Sequence, residues 1–251
     1  MKSLKKKLQD GEVVIGTWNM IASPSVVEIM CQAGFDWIAV DAEHSTITTN
    51  QAEDLMRIEE LSGCVPAVRV MSNDINEIKK MMDAGAQMII VPLVKSREDA
   101  VNAVRSVKYP MDGNRGVGLA RAQKYGLDLA GYMKWNAEES VVIVQIEHID
   151  AINHLEDILS VPGVDGSYIG PYDLSASLGK PGDFTNPEFV AAVERYEAVC
   201  KKMNKPMGYH VVIPNIEIAK KYIEKGYRFL AIGIDEIFLG QACRAAVNAL
   251  K

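Results

Sequence analysis

Apolar positions fall into eight short blocks rich in Val, Ile and aromatic residues, each about the length of one β-strand. They are 13–18 (VVIGTW), 37–41 (WIAVD), 65–70 (VPAVRV), 88–92 (MIIVP), 141–147 (VVIVQIE), 164–170 (VDGSYIG), 206–212 (KPMGYHV) and 228–234 (RFLAIGI). Between most of them the period changes to that of a helix. In 74–84 (DINEIKKMMDA), Ile75, Ile78, Met81 and Met82 share one face, with Asp74 placed to cap the start and Gly85 to close the end. Residues 214–226 (PNIEIAKKYIEKG) repeat the format, Pro at the start and Gly at the stop. Strand–helix alternation predicts parallel pairing, and near-continuous apolar strands predict burial on both faces. Eight such units in 251 residues predict an α/β fold, a (β/α)₈ TIM barrel, with 1–251 as a single domain. A doubly wound open sheet is the alternative. Its dinucleotide fingerprint is missing, because GNRGVG at 113–118 follows no strand and has the wrong spacing.

The rhythm breaks once. Residues 108–140 form a long insertion between strands 4 and 5, carrying Arg115, Arg121, Tyr125 and Tyr132. Long connections in compact domains are usually functional or disordered, and this one has little low-complexity character. It is expected to be an ordered loop with short helices over one barrel mouth.

The chain is 48% hydrophobic and 24% charged, enough to build a core and stay soluble. A net charge of −6 argues against a nucleic-acid partner, and Lys5-Lys6-Lys7 reads as a solvated helix end. No window offers ~18 consecutive apolar residues, so no membrane span is expected. The basic N-terminus has no apolar stretch after it and does not read as a signal peptide. Cys31, Cys64, Cys200 and Cys243 form no CxxC pair and read as reduced core residues of a cytoplasmic protein.

Two apolar runs end at acids: VVIVQIEH at Glu147, and VDGSYIGPYDLSASLG at Asp173 just past Gly-Pro. Active sites of such barrels sit at the carboxyl ends of the strands. The ends here supply Trp18, Asp41-Ala42-Glu43-His44, Arg69, Pro92 with Lys95 nearby, Gln145, Glu147, Asp173 and His210. On adjacent strands Glu147 and Asp173 can meet over the mouth. Two carboxylates held together favour a cation between them, and a hard divalent ion satisfies both. Two protein oxygens leave most of an octahedral shell for water and substrate, which suits Mg²⁺ or Mn²⁺. The bland alternative is that each acid caps the next helix, as Asp173 could do before LSASLG.

DAEHS at 41–45, AVRV at 67–70, MDAGAQMIIVP at 82–92, RGVG and LARA within 115–122, VQIE at 144–147 and IGPYDLSASLG at 169–179 resemble the HpcH/HpaI class II pyruvate aldolases over nearly the whole chain. The resemblance implies a barrel, usually hexameric, that packs its last helix on a neighbouring subunit. It implies divalent-metal-dependent cleavage of a 4-hydroxy-2-oxo acid to pyruvate and an aldehyde, with Mg²⁺ or Mn²⁺, Co²⁺ also being compatible, and no organic cofactor. By resemblance Glu147 and Asp173 are the metal ligands. Gln145 stands beside ion and substrate, and the amides around Gly170, Pro171, Tyr172 and Asp173 receive the substrate carboxylate. Arg69 steadies the enolate oxygen. His44 is the base, acting through a water, with Asp83 as its carboxylate partner and Asp41 as a second acid. Trp18 could wall the pocket.

Some positions depart from the family pattern. His210 replaces an aliphatic residue where the aldehyde lies, and would favour a polar or anionic aldehyde or bind a hydroxyl. Its alternative is a structural histidine bonded to a neighbouring loop. Tyr172 fills a position often held by a small residue, and His148 replaces a commoner Thr. Competing readings are a Schiff-base aldolase with Lys95 as nucleophile, a lyase acting on an acyl-CoA thioester, for which no clear basic pocket is visible, and a barrel kept as a scaffold. The last would lack one of Glu147, Asp173, Arg69 or His44, and all are present.

Overall fold

A computed structural model describes residues 2–251. The eight parallel strands close into a barrel in sequence order, with β8 hydrogen-bonded back to β1. They are β1 (Val14–Asn19), β2 (Trp37–Asp41), β3 (Val65–Arg69), β4 (Met88–Val91), β5 (Val141–Ile146), β6 (Gly166–Ile169), β7 (Met207–Val211) and β8 (Phe229–Ile234). Around them run α1 (Leu4–Gln9), α2 (Pro24–Gln32), α3 (Thr49–Leu61), α4 (Ile75–Ala84), α5 (Arg97–Val107) and α6 (Leu129–Glu139). Then follow α7 (Ile149–Asn153), α8 (Leu155–Leu159), α9 (Pro171–Ser177), α10 (Pro187–Lys202), α11 (Ile216–Lys225) and α12 (Asp235–Asn248).

Local chemistry sets these boundaries. The Asp74 carboxylate accepts from the amides of Asn76 and Glu77 to start α4, and Gly85 ends it at φ 117. At α11 the cap is Asn215 rather than Pro214. The Asn215 side chain accepts from the Ile218 amide, and proline has no acceptor to offer.

Alternation along each strand divides the core into two. Outward residues such as Ile38, Val40, Val68, Ile89, Val142 and Ile146 pack under the helices. Inward residues fill the barrel, among them Trp18, Trp37, Met88, Ile143, Tyr168 and Phe229, and α1 closes its amino-terminal end with Leu4 and Leu8. The same alternation carries Asp41, Arg69, Gln145 and His210 to the inner face at the carboxyl ends of their strands, two residues beyond Ala39, Ala67, Ile143 and Gly208.

Residues 108–140 are ordered, with a single 3₁₀ turn at Lys124–Gly126 and then α6. They lie at the amino-terminal end of the barrel, not over the mouth that holds the acids. Arg115 pairs with Asp83, Arg121 donates to the Ala84 carbonyl, and the Ala122 amide donates to the Asp83 carbonyl, all at the carboxyl end of α4. In α12 Asp235 is the buried residue, while Leu239 and Val247 stay exposed, and so does Cys243, which unlike the buried Cys31, Cys64 and Cys200 is not a core residue. Among the described residues no helix is long and apolar enough to cross a membrane.

Candidate active site

Asp41 and Arg69 end neighbouring strands in register. The Arg69 guanidinium donates to both carboxylate oxygens, Nε to Oδ1 at 3.0 Å and Nη2 to Oδ2 at 2.5 Å. Its Cζ lies 4.5 Å from the Trp18 ring centroid, and Nε is 3.2 Å from Glu43 Oε2. Trp18 is therefore the floor on which the guanidinium rests, and at 2% exposure it has little surface left for a substrate. Asp41 Oδ1 also accepts from the amides of Glu43 and His44, so one carboxylate shapes the turn that carries both residues. Burial opposes the charge on Arg69, and the Asp41 pair more than offsets it, holding the guanidinium charged.

Across the mouth, Glu147 is 3% exposed. Its Oε1 accepts from the Leu93 amide at 2.7 Å, and Oε2 accepts a short hydrogen bond from the Gln145 side chain. Leu93 reaches it from a left-handed conformation, φ 53, which a leucine adopts only under local constraint. Gly170 leaves the room. A Cβ there would stand 2.7 Å from Glu147 Oε2 and 2.8 Å from its Cβ. Burial pushes the Glu147 carboxyl up to about 7, reinforced by the negative charges of Glu43 and Asp173. Glu43 is raised for the same first reason, burial, against the opposing pull of Arg69.

Asp173 lies in the first turn of α9 and caps nothing: the N-cap is Gly170, and it has no side-chain cap. Three carboxylates thus share one mouth whose cation, Arg69, is already engaged by Asp41. Gln145 adds a buried Oε1 with no partner. This hard-oxygen set fits a divalent ion. Among the described residues no three His, Cys, Asp or Glu side chains are grouped to hold a metal by themselves, so Glu147 and Asp173 would need substrate and water to complete a shell.

Several expected roles shift. His44 is largely solvent-facing, and its neighbouring carboxylate is Glu43, with Nε2 3.7 Å from Oε2. Asp83 does not join it within the chain. It ends α4 at the opposite end of the barrel, where it holds the buried Arg115 at 2.5 Å. A helix returning between parallel strands carries its last residues away from the strands' carboxyl ends, so MDAGAQ could not place Asp83 beside His44 in one chain. The Gly170 amide is spent on the Ile146 carbonyl, and Pro171 has no N–H. The free amides of the α9 first turn are therefore those of Tyr172 and Asp173. The Tyr172 ring leans on Phe184, centroids 5.0 Å apart. His148 caps α7, its Nδ1 accepting from the Asp150 amide. Lys95 stands in the loop before α5, its amide bonded to Asp99, outside the barrel interior.

Sequence reasoning missed Leu93, because nothing in VPLV marks a left-handed leucine. It also passed over Tyr168, whose inward strand position could have flagged it. The Tyr168 hydroxyl is buried without a partner near Trp18 and held protonated by that burial. A cavity of about 500 Å³ lies elsewhere, lined by Glu60, Gln87, Arg121, Tyr132 and Trp135 at the amino-terminal end. It contains none of the gathered acids, and so the chemistry points to the other end of the barrel.

A closed parallel barrel with acids, a guanidinium and a histidine collected at the carboxyl ends of its strands defines a (β/α)₈-barrel enzyme. The chain belongs to the HpcH/HpaI aldolase/citrate lyase family, whose profile matches residues 14–242. It is 37% identical over 247 residues to the 4-hydroxy-2-oxo-heptane-1,7-dioate aldolase of Escherichia coli, covering 97% of this chain and 92% of the relative. It is 39% identical over 242 residues to the hydroxypyruvate/pyruvate aldolase of Sagittula stellata, covering 96% and 94%. The crystal structure of an HpcH/HpaI aldolase/citrate lyase family protein from Burkholderia cenocepacia J2315 superposes with a TM-score of 0.93 at 32% identity, covering 98% of each chain.

Proposed function

We propose that this protein is a divalent-metal-dependent pyruvate aldolase, cleaving a 4-hydroxy-2-oxo acid into pyruvate and an aldehyde and catalysing the reverse addition. The observation that carries the reading is that Glu147, bonded to Gln145, and Asp173 feel each other's charge at one mouth, across from the Asp41-bound Arg69. Glu147 and Asp173 would hold Mg²⁺ or Mn²⁺, which when bound supplies Lewis-acid stabilisation of charge on the substrate oxygens.

The chain's own groups do the rest. The free amides of Tyr172 and Asp173 receive the substrate carboxylate. Arg69, preorganised by Asp41 and Trp18, faces the 2-oxo oxygen on which negative charge grows. His44 takes the proton of the C4 hydroxyl through a water, with Glu43 beside its imidazole. The C3–C4 bond then breaks, its electron pair passing to C3 of the pyruvate fragment while the C4 oxygen becomes the aldehyde carbonyl. A proton returned to C3 completes pyruvate.

We further read residues 108–140 as an insertion in a single 1–251 domain, and the protein as a cytoplasmic homo-oligomer, a hexamer by family likeness. The exposed apolar side chains of α12 support assembly. The test is pyruvate release from a panel of 4-hydroxy-2-oxo acids with EDTA and after restoring Mg²⁺ or Mn²⁺. Release that stops with chelation and returns with metal supports the reading, and release unaffected by chelation overturns it.

A further inference from the structure

Strand β7 turns His210 into the barrel, because its neighbour Tyr209 points outward and stacks on Tyr222 with centroids 3.7 Å apart. The imidazole lies beside Trp18, centroids 5.8 Å apart, with Nε2 3.0 Å from the Gly233 carbonyl oxygen. A carbonyl can only accept, so Nε2 carries the proton and Nδ1 keeps the lone pair.

The partner is fixed in place. Gly233 sits at φ 62 next to the slip in β1–β8 register between Gly16 and Trp18. A Cβ there would stand 2.5 Å from the Phe238 ring. Its carbonyl also receives the Thr17 hydroxyl at 3.2 Å. Nδ1, by contrast, has no protein partner and is not among the sealed polar atoms, so its lone pair is open to the mouth. The charged groups that face the ring are Arg69 and Asp41, already paired with each other, and Trp18, which the imidazole adjoins, also meets the titratable ring of Tyr168. Burial first, then Arg69, holds His210 neutral, with its pKa lowered to about 4.

The acids and Arg69 occupy the β2, β3, β5 and β6 side of the mouth. The β7–β8 wall is left for the second substrate, and its inward residues are Gly208, His210, Phe229, Ala231 and Gly233, with no cation among them.

We propose, on the aldolase reading above, that His210 Nδ1 is a neutral hydrogen-bond acceptor that selects aldehydes bearing an uncharged hydroxyl over aldehydes bearing a carboxylate. A hydroxyl donates to the lone pair. A carboxylate has no proton to donate at neutral pH and no cation on this wall to meet. The structure thus narrows the expectation of a polar or anionic aldehyde to the hydroxylated, uncharged class.

The test is addition of pyruvate to glycolaldehyde, propanal and succinate semialdehyde by the metal-loaded enzyme, read as kcat/KM. Wild type is expected to prefer glycolaldehyde over propanal by at least about tenfold, because a site built around a hydroxyl leaves its acceptor unpaired with the analogue lacking one. That preference should hold from pH 6 to 8 and fall to within about threefold of unity in His210→Leu. His210→Gln can donate to Gly233 and still present an oxygen acceptor, so it should retain the preference. An unchanged ratio in His210→Leu overturns the proposal. So does a wild-type preference for succinate semialdehyde that grows as pH falls and vanishes in His210→Leu, the signature of an imidazolium. Failure of wild type to add any of the three would instead remove the aldolase reading, and this proposal with it.

Discussion

Asp41 and Arg69 stand opposite each other on β2 and β3 and close a two-point ion pair, the guanidinium lying against Trp18. The planar fork matches the carboxylate at two atoms and the indole face at once, and the point charge of a lysine cannot do both together. Arg69→Lys should keep the barrel and lower kcat for pyruvate release by about 10²-fold or more, the scale of losing a preorganised donor to a developing oxyanion. Steady-state kinetics with circular dichroism on the same sample checks both halves.

The close fit of Gly170 against Glu147 leads to a second expectation. In Gly170→Ala the new methyl must displace the carboxylate held by Leu93 and Gln145. Mn²⁺ affinity should fall by about 10–100-fold, as when the support of a metal ligand is lost. Titration calorimetry measures it. Unchanged Mn²⁺ affinity would show that Glu147 is not a ligand.

Far from the mouth, Glu59 is fully buried in α3 with neither carboxylate oxygen hydrogen-bonded. Burial, with the nearby Cys31 adding to it, raises its pKa well above the usual carboxylate value. The folded state therefore holds a proton that the unfolded chain releases above about pH 4.5, and stability falls as pH rises towards the folded value. Glu59→Met should stabilise the protein by about 1–3 kcal/mol at pH 8, and by less at pH 4.5, in urea unfolding.

His210 gives the opposite pH dependence. Its folded pKa is lowered to about 4, against about 6.5 unfolded. Between these values the unfolded chain binds more protons, so the contribution is fully present above pH 6.5 and is lost as pH falls towards 4. The stability lost between pH 7 and pH 4.5 should be about 2 kcal/mol larger in wild type than in His210→Leu. Parallel urea melts at the two pH values give the difference directly.

Much of this molecule is written locally. Strand boundaries follow runs such as MIIV and VVIVQI, and the stop of α4 follows Gly85, because periodicity and capping act over a few residues. The placement of two acids at one mouth was also legible, since Glu147 and Asp173 end runs that a barrel must aim there. Conformation without a residue signature was not. Leu93 takes its left-handed turn because the chain around it demands it, and glycine or asparagine would have been needed to announce it.

Through-space relations separate the rest. The sequence by itself determined an eight-unit barrel and the residue types at its strand ends, because hydrophobic period and strand order are properties of the chain read in one direction. Only the tertiary structure decided that Asp83 serves Arg115 at the far end, that Trp18 supports Arg69 at the mouth, and that Gly233 sets the tautomer of His210. Each depends on which atoms meet when helices return antiparallel to strands and when a bulge turns one carbonyl inward, and those meetings are set by closure of the whole barrel.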